Sequence, residues 1–147
     1  MQRPASAISL TSLDGQAVEV SQFAGKVLLV DFWATNCPPC LAEFPRLKRL
    51  YRDYHPKGLE VIGISLDSSR QAVEDFQEKW QLPWPIALQG ESRNGPRLRY
   101  RVETIPSMFL SDRSGKVTAF DLNGEMLRRA VAKLIEGEPV ASPSPKP

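Results

Sequence analysis

Cys37 and Cys40 are the only cysteines in the 147 residues. They stand three positions apart in Val30-Asp31-Phe32-Trp33-Ala34-Thr35-Asn36-Cys37-Pro38-Pro39-Cys40. The apolar run Val27-Leu28-Leu29-Val30 leads into this stretch, and a helical pattern follows it. A buried strand therefore hands over to a helix at the cysteines. If Cys37 caps that helix, its sulfur lies beside backbone N–H groups that lack intrahelical partners. The helix dipole favours a thiolate there. Cys40 falls one turn later on the same face, within bridging reach. Pro38 and Pro39 suit a helix start, which tolerates a missing N–H and gains from a preset φ. The pattern predicts a pair that cycles between dithiol and disulfide.

Two other uses of such a pair fit less well. A zinc site needs further ligands, and the chain has no third cysteine and one histidine, His55, far along. A purely structural disulfide gains little from so short a loop, because its stabilisation grows with loop length.

The length suits one domain with a substantial core. Hydrophobic content of 41% and charged content of 24% are ordinary for a globular protein. The net charge of +2, with basic residues scattered among acids, argues against nucleic-acid binding. No run is long and apolar enough to span a membrane. Met1-Gln2-Arg3-Pro4 leads straight into domain-like sequence without a signal peptide. Two placements follow: a cytoplasmic protein, or the mature part of an exported or membrane-anchored precursor. A cysteine pair occurs in both compartments.

Residues 8–20 read as a hairpin around Asp14-Gly15. A both-faces-covered strand follows at 27–33. A helix is expected from about Pro38 to Tyr54, with Leu41, Phe44, Leu47 and Leu50 in register and a kink at Pro45. Leu59 to Leu66 reads as a buried strand in which Gly63 permits a close approach. Ser68 with Gln71 resembles a capping box for a helix carrying Val73, Phe76 and Trp80. A short strand is expected at 86–88, a loop at 90–96, and a short helix or turn around Leu98 and Tyr100. Strands at 107–110 and 117–122 form a second hairpin. Asn123 is the expected N-cap of a last helix that ends at Gly137. Residues 138–147, with four prolines, read as a disordered tail behind a domain of residues 1–137. The order implies an α/β fold: a mixed central sheet with helices on both faces.

Asp31-Phe32-Trp33-Ala34 followed by Cys-Pro-Pro-Cys resembles the thioredoxin superfamily. Ile105-Pro106 before an apolar strand looks like that family's cis-proline loop, and Pro45 like its helix-kinking proline. Leu13-Asp14-Gly15, Gly25-Lys26 and Cys40-Leu41-Ala42-Glu43-Phe44-Pro45 resemble the extracytoplasmic TlpA/ResA/DsbE-like branch. So do Val61-Ile62-Gly63-Ile64-Ser65-Leu66-Asp67 and Phe109 to Lys116. The resemblance covers about residues 6–137 and implies a thioredoxin-like fold with an N-terminal β-hairpin and a strand–helix insertion at 61–88. It implies a periplasmic or membrane-tethered thiol–disulfide oxidoreductase, commonly a reductase in cytochrome c maturation or metal-centre assembly. The chain departs from the pattern at Asn36, where the family usually has Trp. It also carries both Asp31, at the place of thioredoxin's buried acid, and Glu43, at the place of the branch's own.

On this reading Cys37 is the nucleophile, and Cys40 is more buried and resolves the mixed disulfide. Asp31 and Glu43 are the candidate bases for Cys40. Their competing readings are a strand-end cap for Asp31 and a helix-dipole partner for Glu43. Ile105, Pro106, Trp33, Asn36, Pro38 and Pro39 are the expected substrate-binding residues. The backbone before Pro106 is suited to pair with an extended substrate; the competing reading is an ordinary trans proline. Trp80 and Trp84 read as packing residues, and His55 as a helix-end residue. No cofactor or metal is implied beyond the disulfide. The expected partners are protein thiols and disulfides and an upstream thiol–disulfide donor, with the chain a monomer. The alternatives are a disulfide-donating oxidase, a redox-inert binding domain, or a peroxidase. The last resembles peroxiredoxins, which need Thr three residues before the reactive Cys and a neighbouring Pro. Thr35 stands two before, and that Pro is absent.

Overall fold

The computed structural model describes residues 9–89, 102, 104–122 and 124–137. A small antiparallel hairpin pairs β1 (Ser9–Thr11) with β2 (Ala17–Glu19). A 3-10 turn, Val20–Phe23, leads to β3 (Val27–Trp33). Then come α1 (Pro38–Tyr54), β4 (Leu59–Ser65), α2 (Arg70–Trp80) and β5 (Ile86–Leu88). The chain closes with β6 (Ser107–Ser111), β7 (Val117–Phe120) and α3 (Gly124–Ile135). The main sheet has the order β5-β4-β3-β6-β7. β3 pairs parallel with β4 and antiparallel with β6, so the sheet is mixed and the fold thioredoxin-like.

Side chains on a strand alternate between faces, and β3 shows how the two faces divide. Val27, Leu29 and Trp33 join one core cluster with Phe44 and Leu47 of α1, Val73 of α2, and Leu127 and Val131 of α3. Leu28, Val30 and Phe32 join a second cluster with Ile62, Ile64 and Val102, over which Leu10, Phe23 and Phe109 pack. The crossovers β3-α1-β4 and β4-α2-β5 advance in the same direction across the sheet. Right-handed connections therefore lay both helices on one face. Among the described residues, α1, α2 and α3 all serve that face. The stretch around Leu98 and Tyr100, the loop at 90–96, Asn123 and the tail at 138–147 lie outside the described residues.

Local differences from the expected elements have local causes. The cap of α2 is Ser69, whose Oγ accepts from the Ala72 N–H at 3.1 Å, rather than Ser68. β7 stops at Phe120 because Asp121 takes φ 56°, which turns the chain out of the sheet. His55 Nδ1 lies 2.9 Å from the Leu59 carbonyl, and its ring stacks on Tyr51. It is the helix-end residue expected of it. Gly58, at φ 115°, lets Arg113 lie against the backbone, where a Cβ would stand 2.9 Å from the guanidinium. Arg113 donates to the carbonyls of Gly25 and Ile135 and so ties the sheet's end to α3.

Phe44 is fully buried and forms an aromatic hub, with ring centroids 5.1 Å from Trp33, 5.9 Å from Phe76, 5.9 Å from Trp80 and 6.3 Å from Trp84. Removing it leaves a cavity that four rigid rings cannot fill. Phe44→Ala is expected to cost about 3–5 kcal/mol, read as a lower urea midpoint at an unchanged slope.

Candidate active site

The end of β3 and the start of α1 place the cysteines. Cys37 is the N-cap of α1, with extended backbone (φ −116°, ψ 92°). Its carbonyl accepts from the Cys40 and Leu41 N–H groups at 2.9 and 3.1 Å. Its Sγ also accepts from the Cys40 N–H at 3.3 Å. A sulfur in this position feels the positive end of the helix dipole. Cys37 and Cys40 form a disulfide with their Cα atoms 5.3 Å apart. Cys37 is 8% exposed and Cys40 2%, so the first cysteine is the more exposed of the pair. Pro38 and Pro39 occupy the first helical turn and are exposed, as is Asn36.

The turn between β3 and Cys37 is braced from β4. The Thr35 N–H and Oγ1 donate to Asp67 at 2.9 and 2.6 Å, and Ser65 Oγ donates to the same carboxylate at 2.8 Å. Sequence reasoning noted Asp67 only as part of a resembling run. Its one signal was an acid two residues beyond a strand end. The Ile105–Pro106 peptide is cis, and Pro106 directly precedes β6. Ile105 packs against the cluster that holds both cysteines. Trp33, grouped from sequence with the substrate-contacting residues, is 1% exposed and packs edge-on to Phe44. It supports the site from beneath and offers no surface to a partner.

The two candidate acids differ in setting. Asp31 sits in the middle of the sheet, on the β3 face that carries Leu29 and Trp33 beneath α1, and is 2% exposed. Its Oδ1 has no hydrogen-bonding partner among the described residues. Glu43 is half-buried and lines a cleft of about 330 Å³ between α1 and α3, with Arg46, Arg49 and Arg128. Burial, and secondarily the negative charge of Glu43, push the Asp31 carboxyl well above its ordinary value of 3.8. No group of three or more His, Cys, Asp or Glu among the described residues is placed to hold a metal ion. No helix among them is long and apolar enough to cross a membrane.

A profile of the AhpC/TSA family matches residues 1–120. The chain belongs to the AhpC/TSA family. Within this family it is similar to the thiol–disulfide oxidoreductase ResA of Bacillus thuringiensis subsp. konkukian. The two are 32% identical over 128 residues, 86% of this chain and 72% of that protein. Among solved structures, the thioredoxin domain of a thiol–disulfide oxidoreductase from Bacteroides vulgatus superposes with a TM-score of 0.83 at 30% identity. That match covers 90% of this chain and 96% of the other. A structure described as a DsbE-type thiol:disulfide interchange protein from Chlorobium tepidum gives 0.78 at 29% identity, over 92% and 94%. Within the AhpC/TSA family the chain is a thiol–disulfide oxidoreductase of the ResA/DsbE type, and its redox chemistry is that of a disulfide.

The raised Asp31 carboxyl ties stability to pH. Below about pH 3.8 it is protonated in both the folded and unfolded chain. Between that value and its higher native one, the folded protein holds a proton that the unfolded chain releases. Stability therefore falls as pH rises through this window, and the loss is complete above the native value. The stability of Asp31→Asn relative to the parent is expected to improve as pH rises from about 4 to about 9. A difference that chemical denaturation finds flat over that range contradicts an ionising, buried Asp31.

Proposed function

We propose that the protein is a reductase of protein disulfides outside the cytoplasm, of the kind that serves cytochrome c maturation or metal-centre assembly. The observation that carries this reading is the deeply buried Asp31 carboxyl on the sheet face beneath α1, with Glu43 on the same helix as the cysteines. Negative charge near a dithiol, here that of Glu43 and that of Asp31 once it ionises, opposes its thiolate and so favours giving up electrons to form the disulfide. Strong oxidants do the reverse and stabilise their reduced form. The relatives named ResA and DsbE support the placement in this branch and the location outside the cytoplasm.

In the proposed cycle the Cys37 thiolate attacks one sulfur of a partner disulfide and expels the other as a partner thiolate. Asp31 takes the Cys40 proton, and Glu43 adjusts the local charge. Cys40 then attacks Cys37 Sγ and releases the second partner thiolate. The partner gains two electrons and ends as a dithiol, and the Cys37–Cys40 disulfide is re-reduced by an upstream thiol–disulfide donor. Asn36, Pro38, Pro39 and the Ile105–Pro106 segment form the docking rim, with the backbone before Pro106 pairing an extended partner segment. The protein acts as a monomer.

A second reading has one observation in its favour. The N-cap position of Cys37 stabilises a thiolate, as a disulfide donor requires. A peroxidase role is disfavoured by Thr35, whose hydroxyl is engaged by Asp67. The Cys37–Cys40 reduction potential separates the two main readings. Equilibration against thiol/disulfide buffers is expected to give about −270 mV or lower, whereas a value near −120 mV would make the protein a disulfide donor. Cys40→Ser is expected to accumulate the mixed disulfide with a substrate protein, and Cys37→Ser to abolish exchange. Undiminished partner maturation by the double serine variant would instead assign a redox-inert role.

A further inference from the structure

Asp31 on β3 lies opposite Gly63 on β4 in the parallel register. A side chain at 63 would point onto the same face as Asp31 and Trp33. A Cβ there would stand 3.1 Å from Trp33 Nε1, 3.2 Å from Trp84 Nε1 and 3.0 Å from Ile86 Cδ1. Two indole N–H groups from separate segments thus flank one point above a residue that has no side chain. Trp33 and Trp84 are both almost wholly buried, and neither indole nitrogen has a hydrogen-bonding partner among the described residues. Asp31 Oδ1 shares that condition. Buried indole N–H groups ordinarily find an acceptor, and a buried polar group without one is costly. Two donors beside one point above Gly63, and one acceptor on the residue paired with Gly63, thus share one sheet face, none with a partner among the described residues. A single water satisfies that set, because it accepts from both indoles and donates to the carboxyl.

We infer that Trp33 Nε1, Trp84 Nε1 and Asp31 Oδ1 hold one buried water molecule above Gly63, which makes Trp84 a positioning residue for the Asp31 carboxyl. The water gives the ionised carboxyl a hydrogen bond that its apolar neighbours cannot supply. Those neighbours include Leu29 on the same face of β3, Val61 on β4 and Met108, opposite Asp31 on β6, all in one cluster. The charged group that acts on Asp31 is Glu43 of α1, whose charge opposes ionisation; Cys37 and Cys40, at the start of the same helix, are bonded to each other and do not titrate. The consequence for the reaction rests on the reading of Asp31 as proton acceptor. The water site itself does not.

The test uses the oxidised full chain labelled with nitrogen-15, in which the cysteines do not titrate. Three tryptophans give three indole N–H signals, with Trp80 as the internal reference. Cross-relaxation from water is expected at the Trp33 and Trp84 indole protons. Both signals are expected to shift with pH at one common midpoint, and both shifts to vanish in Asp31→Asn. Trp84→Phe is expected to move the Trp33 midpoint upward, since the charged carboxyl loses a donor. If that variant does not fold, the parent and Asp31→Asn spectra still decide. No water signal at either indole, unequal midpoints, or shifts that survive Asp31→Asn each overturn the inference. If the indoles follow Asp31 while Asp31→Asn resolves mixed disulfides at the parent rate, the site stands and the proton-acceptor reading falls.

Discussion

β3 is hydrogen-bonded on both sides along most of its length, and all seven of its residues are buried. A one-residue slip would send every side chain to the opposite face, so its register is strongly held. That register puts Asp31 between Gly63 and Met108 in the interior and delivers Trp33 beneath α1, against Phe44. It also brings the chain to Cys37 at the depth where a helix must begin. The site's chemistry depends on this one strand being held from both sides.

Two electrostatic influences meet at the cysteines. The amino end of α1 draws negative charge onto Cys37. The charge of Glu43, and that of Asp31 once it ionises, opposes negative charge in the same region. Burial keeps Asp31 protonated further into the pH range than an exposed carboxyl. An acid that gives up its proton reluctantly also takes one readily, which suits exchange with a thiol near neutrality. The aromatic hub of Phe44, Trp33, Phe76, Trp80 and Trp84 lines the helix-bearing face of the sheet.

Much of this was legible along the chain. The bounds of β3, α1 and β5 follow from apolar runs, prolines and glycines that act locally. So does the strand-to-helix handover at Cys37, because a cap, its prolines and its first turn are all neighbours in sequence. The cap of α2 was missed by one residue because Ser68 and Ser69 are equally suitable by type, and the helix's entry path chose between them. The early end of β7 was missed because Asp121 has a backbone angle that no composition rule requires. Trp33 was grouped with the substrate-contacting residues, and its burial was not legible because it depends on α1 and α2 folding over it.

The sequence by itself determined the redox pair, its place at a helix start, the alternation that makes the sheet, and the presence of two acids near the pair. These rest on periodicity and on residues within a few positions of one another. Only the tertiary structure decided which acid is buried, that Asp67 braces the turn before Cys37 across 32 positions, and that Trp84 meets Trp33 above Gly63. Each of these depends on strands far apart in the chain being brought into register. Burial, and with it the proton affinity of a carboxyl, is a property of that assembled neighbourhood rather than of the residue.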